Sequence, residues 1–318
     1  MDPAVGPMNV HRSNRAYFAA LHADPYGFEN SAYHWRGEDQ FLAVLGPFYL
    51  IVGLGTLSLG QMGLIAPLNL ASVYVFGASA VLELLGKVLC AYLVRNWNVK
   101  INYVRKLGLR PWRKLSAFII PFFVTAGDGL FTDTVFLFCL SQFKTMAMEW
   151  HYIRRRVFLL RYAFVAWDRL EDRPYTLRYD LLEDILRFLV YIPFMVLAPN
   201  PIITLIPNLI NEFGDGLAEP VGIRFGRHAY KTRALWYNGR FWNGAFQRTL
   251  EDSAMVFLAT QVILVWHYPI FSPLQLAVAL VAMPWLMTLA EAVSPHTADG
   301  PLLALVGCSF LLALQSLV

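Results

Sequence analysis

The chain has 318 residues, of which 57% are hydrophobic and 15% are charged, and its formal net charge at pH 7 is +4. Soluble domains usually carry about 25% charged residues, and a soluble fold cannot bury so large an apolar fraction. The composition therefore excludes an ordinary soluble enzyme and predicts an integral membrane protein.

The first 40 residues differ from the rest because they mix aromatic and polar residues without a long apolar run. They lack the basic start and apolar core of a secretory signal peptide. Aromatic residues such as Tyr17, Phe18 and Trp35 suit an arm at the lipid headgroups. We therefore predict an interfacial arm over 1–40 and a single transmembrane domain over 41–318. An ordinary surface extension fits the first 40 residues equally well.

Apolar segments long enough to cross a membrane, or nearly so, recur along the rest of the chain. They lie near 41–63, 68–94, 115–141, 184–213, 254–271, 273–292 and 301–318. Basic loops occupy 94–114, 142–187 and 222–248, and the positive-inside rule places all three loops on one side of the membrane. This pattern predicts an all-α fold, a polytopic helical bundle in the membrane.

Two segments conflict with a bundle of straight helices, because 115–141 and 184–213 are each about one and a half membrane crossings long. Both contain helix-breaking residues, near Gly127–Gly129 and near Pro199–Pro201. Irregular backbone at membrane depth is tolerated where it lines a cavity, so we predict interrupted helices at both places. Asp128 and Asp133 should then face polar groups or an interface, because a charge at the bilayer centre costs about 2.5–3.5 kcal/mol.

The stretch that follows 184–213 combines glycines with carboxylates and reads GDGLAEP. Gly214 and Gly216 flank Asp215, so the backbone there can turn sharply and approach a ligand closely. If a helix begins near this point, Asp215 and Glu219 lie on one face, where two carboxylates could hold a hydrated Mg²⁺. The alternative is that Asp215 caps the helix and Glu219 complements its dipole.

Cations follow these carboxylates at a spacing that predicts one face of a helix. They are Arg224, Arg227, His228 and Lys231. A triphosphate bound to Mg²⁺ needs such neutralising charge beside the metal ligands. The alternative is a stripe of cations that contacts lipid headgroups. The spacing of Gly222 and Gly226 favours close helix packing over ligand contact.

Two further polar clusters lie where apolar segments begin or end. The segment 247–257 holds a cation, two carboxylates and two hydroxyls: Arg248, Thr249, Glu251, Asp252 and Ser253. The segment 289–307 places Glu291 at a helix end and Asp299 before the last apolar segment. The alternative is that Asp252 belongs to a capping box and Asp299 is an N-cap. Three acidic clusters at membrane boundaries are more than capping requires.

Taken together, GDGLAEPVGIRFGRHAYKT, RTLEDSAMVF and EAVSPHTADGPLLALVG resemble the motifs of the CTP-dependent polyprenol kinase family. That family includes dolichol kinase, phytol kinase and the CTP-using diacylglycerol kinase, and it is related to the phosphatidate cytidylyltransferases. The resemblance covers 211–307. It implies CTP and Mg²⁺ as cofactors, an isoprenoid or lipid alcohol as substrate, and an organelle membrane as location. We expect membrane lipids as partners and no nucleic acid.

The resemblance also implies roles for individual residues. It assigns catalysis to Asp215, Glu251 and Asp299, and it assigns the metal to Asp215 and Glu219. It assigns nucleotide binding to Gly214, Gly216, Arg224, Arg227, His228, Lys231, Arg248, Ser253 and Glu291.

The chain departs from the family's pattern at several positions. Arg248 stands where the family has Lys, and Asp252 replaces a Gly. Gly300 replaces an Asn, and Ala117 occupies the expected position of a His. The insert 232–247 is longer and more aromatic than the family pattern. These departures support an alternative, a relative without catalysis that serves as a structural or lipid-binding subunit of a larger membrane complex.

Overall fold

The protein is described by a computed structural model. It describes residues 35–97, 130–154, 156–167, 175–198, 200–237, 240–294 and 298–316. The side chains of Glu219 and Arg224, which lie within these ranges, are not described. The described residues form an all-α helical bundle with one two-stranded hairpin. Helices within Gly37–Gln61, Leu70–Leu93 and Pro273–Val293 are long and apolar enough to cross a membrane. The predicted all-α membrane fold is therefore confirmed.

The chain divides into two compact units. The described residues up to Leu181 form the N-terminal unit, and those from Leu182 onward form the C-terminal unit. The interfacial arm over 1–40 and the single transmembrane domain over 41–318 stay predictions, because residues 1–34 lie outside the described residues.

Helices make up the N-terminal unit. In chain order they are α1 (Trp35–Gln61), α2 (Leu70–Trp97), α3 (Leu130–Glu149), α4 (His151–Arg154), α5 (Phe158–Trp167) and the first part of α6 (Thr176–Leu197). Helix α1 packs against α3, and α2 packs against α5. The predicted break at Gly127–Gly129 lies outside the described residues.

Several charged and polar groups inside the N-terminal unit are paired. The Asp133 carboxylate accepts hydrogen bonds from the Asn69 amide at 2.8 Å and the Ser72 hydroxyl at 2.6 Å, so Asp133 faces polar groups as expected. Lys87 of α2 forms an ion pair with Glu149 of α3. Pairing of this kind is what permits ionisable residues to lie within membrane-spanning segments.

The C-terminal unit contains the remaining elements. They are the end of α6, a 3₁₀ turn (Pro201–Thr204), α7 (Leu205–Ile210), a π-helical turn (Asn211–Asp215), α8 (Gly216–Phe225), β1 (Ala229–Tyr237), β2 (Arg240–Thr249), α9 (Leu250–Trp266), a 3₁₀ turn (Tyr268–Ile270), α10 (Pro273–Val293) and α11 (Asp299–Gln315). The break predicted near Pro199–Pro201 is confirmed, since α6 ends at Leu197 and helical backbone resumes at Pro201. Proline at that point removes a backbone donor and disfavours helix in the preceding residue.

The core of the C-terminal unit packs α8, α10 and the π-helical turn around α9. Its fully buried side chains include Ile206, Ile210, Leu264, Met283, Met287 and Leu303. Glycines permit the close approach of α8 and the π-helical turn to α9. A Cβ at Gly214 would meet the Val256 Cα at 3.3 Å, and one at Gly222 would meet the Asp252 Cβ at 3.1 Å. The predicted close packing at Gly222 is therefore confirmed.

The cations predicted to share one helical face do not lie on one helix. Helix α8 ends just before Gly226, Arg227 and His228 lie in the link that follows, and Lys231 belongs to β1. The helix ends because the backbone becomes extended at Gly226, with φ −60° and ψ 110°. The chain there passes against the base of the hairpin, where a Cβ at Gly226 would meet the Thr249 Cγ2 at 2.8 Å.

Strands β1 and β2 pair antiparallel, from Ala229 opposite Thr249 at the base to Tyr237 opposite Arg240 at the tip. The register shifts along the way, so that β2 carries one extra residue. Gly244, beside this bulge, has a φ of 76°, a conformation that glycine adopts without steric cost. The hairpin was not predicted from the sequence.

Candidate functional site at the base of the hairpin

Arg248 lies at the base of the hairpin and contacts the end of a membrane-spanning helix. Its guanidinium forms an ion pair with the carboxylate of Glu291 and also donates a hydrogen bond of 2.9 Å to the Glu291 carbonyl oxygen. Glu291 is 1% exposed and lies two residues before the end of α10 at Val293. The hairpin is thus tied to the point where α10 reaches a membrane boundary.

Several carboxylates act on this arginine through their charges, and one of them, Glu291, contacts it directly. Burial by itself would lower the pKa of Arg248, but neighbouring carboxylates outweigh burial and hold the pKa above its ordinary value. They come from the end of α10, the π-helical turn, the start of α9 and the start of α11: Glu291, Asp215, Asp252 and Asp299. We call these four carboxylates and Arg248 the Arg248 cluster.

Asp215 is buried and does not cap a helix. Its backbone is helical, with φ −67° and ψ −37°, and its side chain makes no capping hydrogen bond within the described structure. Helical backbone continues from the π-helical turn into α8. No helix therefore starts at Asp215, and its side chain has no helix N-terminus to cap. The capping alternative for Asp215 is therefore wrong. A π-helical turn inside a helix is a local irregularity that often marks functional sites.

Asp252 and Thr249 form the capping box that the sequence allowed. The Thr249 hydroxyl accepts a hydrogen bond from the Asp252 amide at 3.2 Å, and the Asp252 carboxylate accepts one from the Thr249 amide at 3.2 Å. Ser253 lies beside this cap, with its hydroxyl 2.7 Å from the hydroxyl of Tyr230 on β1. Asp252 therefore both caps α9 and contributes charge to the Arg248 cluster.

Asp299 is the first residue of α11 rather than its N-cap. The N-cap position belongs to Ala298, and the Asp299 carboxylate accepts a hydrogen bond of 3.2 Å from the Gly300 amide. The N-cap expectation for Asp299 was therefore wrong by one residue, because helical backbone already begins at Asp299. A carboxylate in the first turn still complements the helix dipole.

Glu251 pairs with His228 instead. The Glu251 carboxylate lies 2.7 Å from the His228 Nδ1 and accepts a hydrogen bond from the His228 amide at 3.3 Å. The contact with the His228 side chain lowers the pKa of Glu251 to about 2. Arg227 and Lys231 are exposed. Of the carboxylates to which the resemblance assigns roles, Asp215, Glu291 and Asp299 act electrostatically on Arg248, Glu251 lies with His228, and the side chain of Glu219 is not described.

A second polar group, which the sequence did not predict, includes the first two residues of the π-helical turn. Arg187 donates to Glu212 at 2.8 Å and to Asp184 at 2.6 Å. Asn211 is 1% exposed, and neither polar atom of its side chain has a hydrogen-bond partner within the described structure. A Cβ at Gly300 would meet the Asn211 Nδ2 at 3.6 Å, so Asn211 lies near the start of α11. The signal in the sequence was the polar pair of Asn211 and Glu212 at the end of an apolar segment.

The donor set of the Arg248 cluster is suited to an Mg²⁺-bound phosphate. Mg²⁺ is usually held by one or two carboxylates together with waters and phosphate oxygens, and carboxylates outnumber cations in the cluster. Among the described residues, no group of three or more His, Cys, Asp or Glu is arranged to hold a metal ion by itself. Arg248 supplies the donors that phosphate oxygens require, and one carboxylate oxygen of Glu291 is buried with no hydrogen-bond partner in the described structure.

Comparisons with known proteins found no protein family, no curated protein and no solved structure that matches the chain. The family resemblance stays a prediction that depends on the motif residues.

Proposed function

We propose that the protein is a phosphotransferase of an organelle membrane that uses CTP and Mg²⁺ to phosphorylate an isoprenoid or other lipid alcohol. The observation that carries this proposal is the Arg248 cluster, in which carboxylates from four different elements act electrostatically on one arginine. Asp215, Asp252 and Glu291 are buried. Burying charged groups is costly, and such concentrations of ionisable groups are typical of functional sites.

The position of the cluster suits both proposed reactants. Glu291 lies near the end of the candidate span Pro273–Val293, and this end of a span belongs at a membrane boundary. A lipid alcohol keeps its hydroxyl near the headgroups while its hydrocarbon chain stays in the bilayer. CTP approaches from water. A site at the boundary is therefore reached by both molecules.

Side chains of the Arg248 cluster would position the metal and the phosphates, and one of them would accept a proton. Asp215 and a second cluster carboxylate would hold Mg²⁺, which neutralises phosphate charge when CTP is bound. Arg248 would donate to phosphate oxygens. A carboxylate of the cluster would accept the hydroxyl proton of the lipid while the lipid oxygen bonds to the γ-phosphorus. The bond between that phosphorus and the bridging oxygen breaks, and CDP leaves.

A second candidate function is favoured by the same arginine. The guanidinium of Arg248 is already neutralised by Glu291, and Asp252 is already engaged in a capping box. Arg248 and Asp252 both stand at positions where the chain departs from the family's pattern. In a relative without catalysis, the cluster would fasten the hairpin to α10 as part of a structural or lipid-binding subunit of a larger membrane complex.

A phosphoryl-transfer assay separates the two candidates. The full chain, reconstituted in lipid nanodiscs, would be incubated with Mg²⁺, CTP labelled at the γ-phosphate, and dolichol, phytol or diacylglycerol. The kinase proposal expects labelled lipid phosphate that disappears when Mg²⁺ is chelated. Absence of labelled product, together with absence of CTP binding by calorimetry, would contradict the kinase and favour the structural subunit.

A further inference from the structure

We propose that the hairpin β1–β2 is an interfacial anchor, which lies on the bilayer surface through an exposed aromatic face. The rings that form this face are Trp236, Phe241 and Trp242. The inference does not depend on the proposed enzymatic activity, because it follows from the direction of the side chains along the two strands.

The base of the hairpin fixes which face points towards the membrane. Tyr230 and Arg248 stand opposite each other in the register, so their side chains share one face. The Tyr230 hydroxyl contacts Ser253 at the start of α9, and Arg248 binds Glu291 near the end of α10. Since α10 is a candidate membrane span, this face of the hairpin is directed at helix ends that lie at a membrane boundary.

The same face carries aromatic rings near the tip. Trp236 follows Tyr230 by six residues, and side chains an even number of residues apart lie on the same side of a strand. Phe241 is the register partner of Trp236 and shares that face. Trp236 and Phe241 are 54% and 67% exposed, about 20 Å from the base at the rise of a β-strand. Large apolar rings therefore point in the direction of the membrane and are largely uncovered by the part of the chain that the structure describes.

The third ring reaches this face through an unusual backbone conformation. Trp242 has a φ of 51°, which a bulky residue rarely adopts. Neighbours in a regular strand point to opposite faces, but the Trp242 ring centroid lies 6.4 Å from that of Phe241. Holding a residue in this region costs about 1–3 kcal/mol, and such strain is concentrated at functional positions. The strain in this hairpin brings a second large ring beside Phe241.

The opposite face of the hairpin is cationic. Lys231 and Arg233 alternate with the residues of the aromatic face and are exposed, and Arg240 pairs across the tip with Tyr237. A segment with aromatic rings on one side and cations on the other is suited to the bilayer interface, where rings enter the headgroup layer and charges stay in water. The occupant of the aromatic face is therefore the bilayer that α10 crosses.

Spin labels on the two faces test the inference. Phe241→Cys places a label on the aromatic face, and Arg233→Cys places a matched label on the cationic face of the same hairpin. Cys90, Cys139 and Cys308 are buried, and the unsubstituted chain measures any labelling of these thiols. The full chain in phosphatidylcholine nanodiscs would be studied by electron paramagnetic resonance with oxygen, which concentrates in lipid, and with a water-soluble nickel chelate.

We expect the label at Phe241 to collide more with oxygen than with the nickel chelate, and the label at Arg233 to show the reverse order. A label at Trp236 gives an independent reading if Phe241→Cys does not fold. Equal exposure of both faces to the nickel chelate would overturn the inference. Protection of the aromatic face from both reagents by a copurified protein would also overturn it, because the face would then bind a protein instead of lipid.

Discussion

Arg248 and Glu291 are joined twice, by an ion pair between their side chains and by a hydrogen bond of 2.9 Å from the guanidinium to the Glu291 carbonyl oxygen. The carboxylate side of this pair is buried, whereas a quarter of the Arg248 side chain is exposed. The pair connects the only hairpin of the described structure to the end of a candidate membrane span. The same contact therefore stabilises the fold and belongs to the proposed catalytic site.

Removing the arginine should destabilise the protein strongly. Arg248→Ala leaves Glu291 buried without its cation, and breaking such a pair costs about 3 kcal/mol at the lower end of the range for buried pairs, since Arg248 is partly exposed. Arg248→Lys keeps the charge but loses the second hydrogen bond, so its loss should be smaller. Thermal unfolding in detergent measures both. Equal midpoints for the parent and Arg248→Ala would show that the pair does not stabilise the fold.

The double variant Arg248→Met with Glu291→Gln is the control for this pair. It removes both charges and leaves no uncompensated carboxylate, so it should unfold at a higher temperature than Arg248→Ala. If the double variant were the less stable protein, the destabilisation would arise from lost packing instead of from the buried charge.

The end of α8 depends on a glycine with no room for a side chain. Gly226→Ala places a methyl group against the Gly222 carbonyl oxygen and against Thr249, where a Cβ would lie 2.8 Å from Cγ2. Overpacking of this kind costs about 1–3 kcal/mol. Gly77→Ala is the matched control, because a Cβ there meets nothing within 4 Å and alanine is favoured in helices. Thermal unfolding should show a loss for Gly226→Ala only, and equal loss in both variants would contradict the steric explanation.

The helical part of the fold could be predicted from the sequence, but the hairpin was missed. Apolar runs locate most of the helices, and Pro199 with Pro201 marks a helix end. The cations from Arg224 to Lys231 fit a helical spacing. This spacing predicted a helix where the chain forms the start of β1. An Asn-Gly pair at 238–239, between two aromatic runs, is a strong hairpin signal that should have outweighed it.

The candidate site was predictable only in part. The carboxylates Asp215, Glu291 and Asp299 stood out because each lies at the end of an apolar segment. Their arrangement around Arg248 arises from helix packing, which a single sequence does not encode locally. The π-helical turn that carries Asp215 depends on the hydrogen-bond register, and residue propensities do not reveal that register.

Asn211 is expected to lower the stability of the protein. Its side chain is buried, and its amide atoms have no hydrogen-bond partner within the described structure. An unsatisfied buried polar group costs about 1–3 kcal/mol, so Asn211→Leu, which is similar in size, should raise the unfolding temperature. Asn211→Asp should lower it, because it adds a charge beside other carboxylates. A lower unfolding temperature for Asn211→Leu would show that the amide makes a stabilising contact.

Glu251 should stay ionised in acid. Its contact with His228 lowers the pKa of the carboxyl group from 4.5 to about 2. A depressed carboxyl pKa stabilises the folded state above pH 4.5, and this contribution is lost as the pH falls towards 2. Carboxyl signals of ¹³C-labelled glutamate followed by NMR would show the low pKa. In His228→Gln the Glu251 pKa should move back towards 4.5. An unchanged pKa in this variant would show that His228 does not lower the pKa of Glu251.

The most direct test of the proposed function is calorimetric titration of CTP with Mg²⁺ into the parent protein and into Asp215→Asn. Asn is nearly isosteric with Asp and caps helices about equally well, so the variant should fold and insert normally. We predict Mg²⁺-dependent CTP binding by the parent and loss of both binding and lipid phosphorylation in Asp215→Asn. Equal binding and turnover in the two proteins would refute the metal role of Asp215. A parent protein that binds no CTP would contradict the nucleotide site itself.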